Sequence, residues 1–180
     1  MGSMQGNTFT NEHANKYVTS DDFGQLFTEN MDSLYFLAFL LTGDHEKAEQ
    51  CFVAGLEDSL SSHHVFVGWA HLWAKQAVIK NAVHLLQPHP ASSELALADA
   101  SAVDTSLLSV QNAYFEVGDV VALEPFARFV FVLSVLEQYS QRECALLLGS
   151  SVREVRNVRV RAIEQVLNSL DAVPMRARAV

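Results

Sequence analysis

Arginine is the residue type in this sequence whose placement most narrows the possible chemistry. Residues 1–118 carry four Lys, no Arg and 14 acids, a net −10, whereas residues 119–180 carry eight Arg, no Lys and seven acids, a net +1. A guanidinium is a planar fork that matches phosphate oxygens and the guanine edge better than an ammonium does. Five of the eight lie between positions 142 and 161. At about 100° per residue, Arg153, Glu154, Asn157, Arg161 and Glu164 fall on one side of a helix, with Arg156 at the border. Val152, Val155, Ala162, Ile163 and Val166 fall on the other, and Arg159 points toward that apolar side. An exposed stripe of Arg and Asn is what reading the major groove requires. The candidate DNA contacts are therefore Ser151, Arg153, Glu154, Arg156, Asn157 and Arg161, with Ser151 at the N-cap directing backbone N–H groups to a phosphate. The plainer alternative is a solvated polar face.

Other chemistries find less support. There is no GxSxG, no phosphate loop and no carboxylate pair framed for acid–base work, so no catalytic residue and no cofactor are expected, and the chain reads as a non-enzyme. Five of the seven His lie between His63 and His89. HExxH is absent and no carboxylate is interleaved, so no metal site is expected. Cys51 and Cys144 lack CxxC or Cys/His spacing and read as buried reduced thiols, which fits a cytoplasmic protein.

The elements that must position these residues are helical. Hydrophobic residues are 49% and charged residues 18% of the chain, enough to bury a core, while 8 Gly and 4 Pro are few for a many-turned β-fold. The longest apolar run, Leu34 to Leu41, is too short to cross a bilayer, and the net −9 disfavours an anionic membrane surface. Met1-Gly2-Ser3 before Met4 reads as a vector remnant, so residues 1–19 are expected to be tag and disordered lead. Thr19 or Ser20 caps a helix that runs on to Gly43. Asp44 caps a second helix with Ala48, Cys51, Phe52, Leu56 and Leu60 on one face. A third runs from about His64 to Leu86 and stops before Pro88. Trp69 and Trp73, four residues apart among apolar neighbours, are expected in its core, the alternative being a base-stacking platform.

Residues 88–118 are rich in Ala and Ser and hold no Lys or Arg, which predicts a linker between a helical domain at 20–87 and another at 119–180. In the second, Pro125 opens a helix to about Glu137. Ser140 with Glu143 and Ser151 with Glu154 are two capping boxes separated by a short helix ending at Gly149. That predicts two helices joined by a tight turn, the helix-turn-helix arrangement, with the second running to about Leu170. The fold class expected is all-α: two small helical domains and a linker.

These residues resemble a known family. The segment LEPFARFVFVLSVLEQYSQRECALLLGSSVREVRNVRVRA, residues 123–162, is similar to region four of bacterial RNA polymerase sigma factors of the extracytoplasmic-function type, whose pattern is roughly LPxxxRxVFxLxxxEGxSxxEIAxxLGxSxxTVxxRxxRA. Leu123, Pro125, Arg128, Phe131, Leu133, Glu137, Ser140, Glu143, Ala145, Leu148, Gly149, Val155 and Arg161-Ala162 fall in place. Upstream, LTGDHEKAEQCFVAGL at 41–56 resembles the region-two helix, usually LTGDxxxAEDLxQExF, and WAHLWAKQAVIK at 69–80 resembles the WLxxIAxNxAID stretch that follows it.

The resemblance implies a transcription-initiation protein. Residues 119–180 would bind promoter DNA, and residues 20–87 would bind RNA polymerase core through the positions of Ala48, Glu49, Gln50, Val53 and Ala54. Departures cluster in region two. Gln50 replaces an acid, Val53 and Ala54 replace a Gln-Glu pair, Gln76 replaces Asn, and no Arg follows Lys75 and Lys80. Position 159, usually apolar, is Arg159, and the usual Arg before it is Val158. Holding a melted promoter strand needs cations and exposed aromatics, and the acidic first half repels DNA. The alternative is a divergent sigma-like adaptor or regulator, which binds another protein, such as an anti-sigma-like partner, or self-associates, without melting a promoter.

Overall fold

The computed structural model describes residues 17–62, 64–90 and 116–172. Residues 1–16 of the expected lead at 1–19 and residues 91–115 of the expected linker lie outside the described residues, whereas Tyr17–Thr19 are ordered, with the Val18 N–H on the Val65 carbonyl at 2.8 Å and Thr19 capping the first helix. Among those described the structure is all-α; its one β feature is an isolated antiparallel bridge between Tyr17 and Phe66.

Thr19 caps α1 (Ser20–Glu29): its hydroxyl accepts the Asp22 N–H, and the Asp22 carboxylate accepts the Thr19 N–H at 2.8 Å. The single helix expected up to Gly43 is divided at Asn30, whose side-chain amide donates to the Leu26 carbonyl at 2.8 Å. That local bond competes with helix continuation and turns the chain into α2 (Met31–Thr42). Gly43 ends α2 at φ +67°, and Asp44 caps α3 (His45–Leu60) by accepting the Lys47 N–H at 2.9 Å. A 3₁₀ turn at Val67–Trp69 leads into α4 (Ala70–Leu86), so the third helix begins later than its apolar pattern suggests.

Helices α3 and α4 meet through small residues. Ala48, Cys51, Gly55 and Ser59 are buried on α3, and Ala70, Ala74, Ala77, Val78 and Ala82 on α4. A Cβ on Gly55 would stand 2.9 Å from Val78 Cγ2, so the missing side chain sets how closely the helices approach. The face of α3 therefore centres on these positions, with Phe52, Leu56 and Leu60 only half-buried at its margin. This packing also turns the tryptophans outward. Trp69 is 67% and Trp73 39% exposed, against the expectation that they are core, because the stripe of small residues claims the inner face of α4.

The second half begins with α5 (Val117–Val121). Then comes α6 (Pro125–Phe131), which continues into a π-helical turn at Val132–Leu136 closed by the Glu137 N–H on the Val132 carbonyl. The Ser140–Glu143 capping box opens α7 (Gln141–Leu148), and Gly149 ends it at φ +61°. The Ser151–Glu154 box opens α8 (Val152–Ala172).

The two halves share one core. Phe27, Leu34, Leu37, Ala38 and Leu41 belong to the same buried cluster as Leu123, Phe126, Phe129, Phe131 and Leu133. Fully burying a large apolar side chain is worth about 1.5–3 kcal/mol, so the joint cluster is a major stabilising term for both halves. Val18, Phe23, Val65 and Ala70 form a smaller second cluster beside α1.

Arg128 of α6 fastens this junction. It is 7% exposed, and its Nε donates to the Leu41 carbonyl at 3.1 Å, Nη2 to the Thr42 carbonyl at 2.8 Å and Nη1 to the Val121 carbonyl at 2.9 Å. Two of these acceptors lie in the last turn of α2, where the helix leaves carbonyls unpaired and its dipole favours a cation. Burial lowers the guanidinium's pKa and Glu124 opposes that shift. Lys75 of α4 adds an ion pair to Glu137 at 2.6 Å.

Candidate nucleic-acid interface

Both capping boxes of the α7–turn–α8 unit are formed. The Glu143 carboxylate accepts the Ser140 N–H at 2.8 Å, and the Glu154 carboxylate accepts the Ser151 N–H at 2.9 Å. These bonds stabilise the charged forms and hold both carboxyls below the usual glutamate value, the Ser140 hydroxyl contributing most for Glu143 and the Ser151 backbone N–H for Glu154. The two boxes and left-handed Gly149 fix where one helix stops and the next starts, and so which side of α8 faces out.

Val155, Ala162, Ile163 and Val166 are buried, while Ser151, Arg153, Glu154, Arg156, Asn157 and Arg161 are all exposed. The six sequence-derived DNA candidates thus share the open side of α8. Arg156 reaches back to α7 with a long bond from Nε to Gln141 Oε1 at 3.4 Å, and Arg161 Nε lies 3.5 Å from the Asn157 carbonyl. Neither guanidinium is in an ion pair among the described residues, so both can reorient toward a phosphate or base edge. Glu154 is committed to its cap and is a helix-start residue before it is a contact.

Val152 departs from its expected burial: it is 40% exposed, since it sits in the first turn, before α8 meets its neighbours. Arg159 is half-buried with its Nε unpaired among the described residues, as expected of an Arg on the apolar side. Its charge acts to lower the Cys144 thiol pKa, but desolvation dominates and raises that thiol to about 11. Desolvation alone raises Cys51 to about 11. Both are free buried thiols in their protonated form.

The candidate protein-contact positions on α3 divide by burial. Glu49, Gln50 and Val53 are exposed and Ala54 is half-exposed. Ala48 is fully buried, so it packs against the neighbouring helices and offers no surface to a partner. Arg128 was legible in the sequence as a match to the region-four pattern; its role as a fastener between the halves was not, because the acceptors are main-chain atoms far along the chain. No group of three His, Cys, Asp or Glu gathers into a metal-holding set among the described residues, and no helix among them is long and apolar enough to cross a membrane. No protein-family model matches the chain, and no curated protein matches it.

Proposed function

We propose that this chain is a sigma-factor-like transcription protein that binds promoter DNA through α7 and α8. The observation that carries the reading is the open face of α8, where Arg153, Arg156, Asn157 and Arg161 stand clear of the core on the second helix of a capped helix-turn-helix. Bidentate Arg–guanine contacts there discriminate by about 1–3 kcal/mol each, and Asn157 suits adenine. The N-terminal half would contact RNA polymerase core through Glu49, Gln50, Val53 and Ala54. The protein would act in the cytoplasm without cofactor or catalytic residue.

A second reading, the adaptor or regulator without promoter melting, draws support from the shared core. Arg128 and the joint cluster hold α7 and α8 against a first half that is acidic and lacks Arg. The deciding experiments use the full chain. Selection from a random DNA pool at low salt should enrich a sequence if α8 reads DNA, and failure to enrich any makes the helix-turn-helix a packing unit and puts the adaptor reading first. Reconstituted transcription with core polymerase separates the two: promoter-specific initiation supports the first, and DNA binding without initiation supports the adaptor.

A further inference from the structure

Val152 is out of place on α8. The helical period groups it with Val155, Ala162, Ile163 and Val166, which are buried, yet Val152 is 40% exposed. Val158, Val160 and Leu167 are half-buried, so Val152 is the one large apolar side chain open to solvent among the described side chains of α8. It stands at the first position of the helix.

Its neighbours define what it can touch. Ser151 and Glu154 are tied to each other: the Glu154 carboxylate accepts the Ser151 N–H at 2.9 Å and the Ser151 hydroxyl at 2.7 Å, and that hydroxyl accepts the Glu154 N–H at 3.2 Å. Val152 and Arg153 are then the first-turn side chains that the cap does not use. One turn along the same ridge is Arg156, exposed and joined to Gln141 of α7 by its 3.4 Å bond. Val152 therefore lies at the tip of the helix, on the side of the open face nearest α7. A recognition helix meets base edges with its N-terminal residues.

We propose that Val152 is a specificity-determining residue that selects thymine, an inference that rests on the DNA reading of α8. In the major groove the C5-methyl of thymine is the apolar feature among the base edges; guanine, adenine and cytosine present donors and acceptors. A valine pressed on one of those polar edges strips its water and returns no hydrogen bond. Against thymine it buries methyl on methyl. Its β-branch restricts χ1, so little side-chain freedom is lost on contact. Side chains four apart on a helix stand about 5–6 Å from each other, and successive bases rise about 3.4 Å. The thymine therefore falls within about two base steps of the edge read by Arg156.

The test uses the full chain and the duplex that selection from a random pool enriches. Each thymine in turn is replaced by deoxyuridine, which keeps the hydrogen-bonding edge and lacks only the methyl group. At one thymine the replacement should weaken binding of the native chain about fourfold, the worth of one buried methyl group. Val152→Ser should bind the thymine and deoxyuridine duplexes equally. Unchanged circular dichroism and thermal melting will show that this variant folds, and the native chain's response to deoxyuridine needs no variant at all. An enriched sequence without an A·T pair, indifference of the native chain to deoxyuridine at every thymine, or an effect undiminished in Val152→Ser would overturn the inference while leaving α8 a DNA reader. Failure to enrich any sequence would remove the DNA reading itself, and this inference with it.

Discussion

Replacing Arg128 with Met tests whether the two halves are fastened as the structure indicates. Methionine keeps much of the apolar volume but removes the donors to the Leu41, Thr42 and Val121 carbonyls. Leaving a buried acceptor without its donor costs about 1–3 kcal/mol. The lower end applies to carbonyls, and relief from burying the guanidinium offsets part of the sum. The expected loss is about 2–4 kcal/mol, a large part of the roughly 5–15 kcal/mol that stabilises an ordinary domain. Urea unfolding of the full chain, followed by circular dichroism, measures it.

A second variant makes the reasoning stricter. A Cβ on Gly43 would sit 2.6 Å from Arg128 Nη1, and Gly43 holds φ +67°. Gly43→Ala should therefore lose stability through the left-handed backbone, about 1 kcal/mol, and further through the clash. In the Arg128→Met background only the backbone part should remain, so the two substitutions should be non-additive by about 1 kcal/mol or more. An Arg128→Met loss below about 1 kcal/mol, or strict additivity with Gly43→Ala, would refute the fastener.

Arg156→Ala and Arg161→Ala should each weaken binding of the full chain to its selected DNA sequence while leaving the fold intact, and Arg159→Ala should alter thermal stability more than sequence choice; gel-shift titrations and melting curves distinguish them. Asp22, Glu143 and Glu154 all have lowered folded pKa values, so the stability they contribute is present above their ordinary values of about 4 and is lost as pH falls through the depressed ones. Acid titration should show that loss, and Glu143→Gln with Glu154→Gln should flatten it. Cys51 and Cys144, buried and raised to about 11, should resist a thiol reagent in the native protein and react on unfolding. The triple change Gln50→Asp, Val53→Gln and Ala54→Glu should strengthen association with core polymerase if α3 docks there, as surface capture would show.

Much of this protein is legible in its sequence because the signals are local. Thr19 with Asp22, Asp44, Ser140 with Glu143, Gly149 and Ser151 with Glu154 announce helix ends through bonds reaching four residues or fewer. The period of Val155, Ala162, Ile163 and Val166 likewise fixes which side of α8 is buried and leaves Arg153, Arg156, Asn157 and Arg161 outside. What periodicity leaves undetermined is which of two apolar faces a helix turns inward. On α4 both the tryptophans and the Ala70–Ala74–Ala77–Val78 stripe have helical spacing. Close approach to Gly55 of α3, a contact between distant parts of the chain, puts the small residues inside and the tryptophans in solvent. The junction of the halves depends on tertiary structure in the same way. Arg128 is one residue in a local pattern until the carbonyls of Leu41 and Thr42, more than eighty positions earlier, come within hydrogen-bonding distance. Main-chain acceptors carry no side-chain signature, so only the folded chain reveals that the arginine caps a helix in the other half.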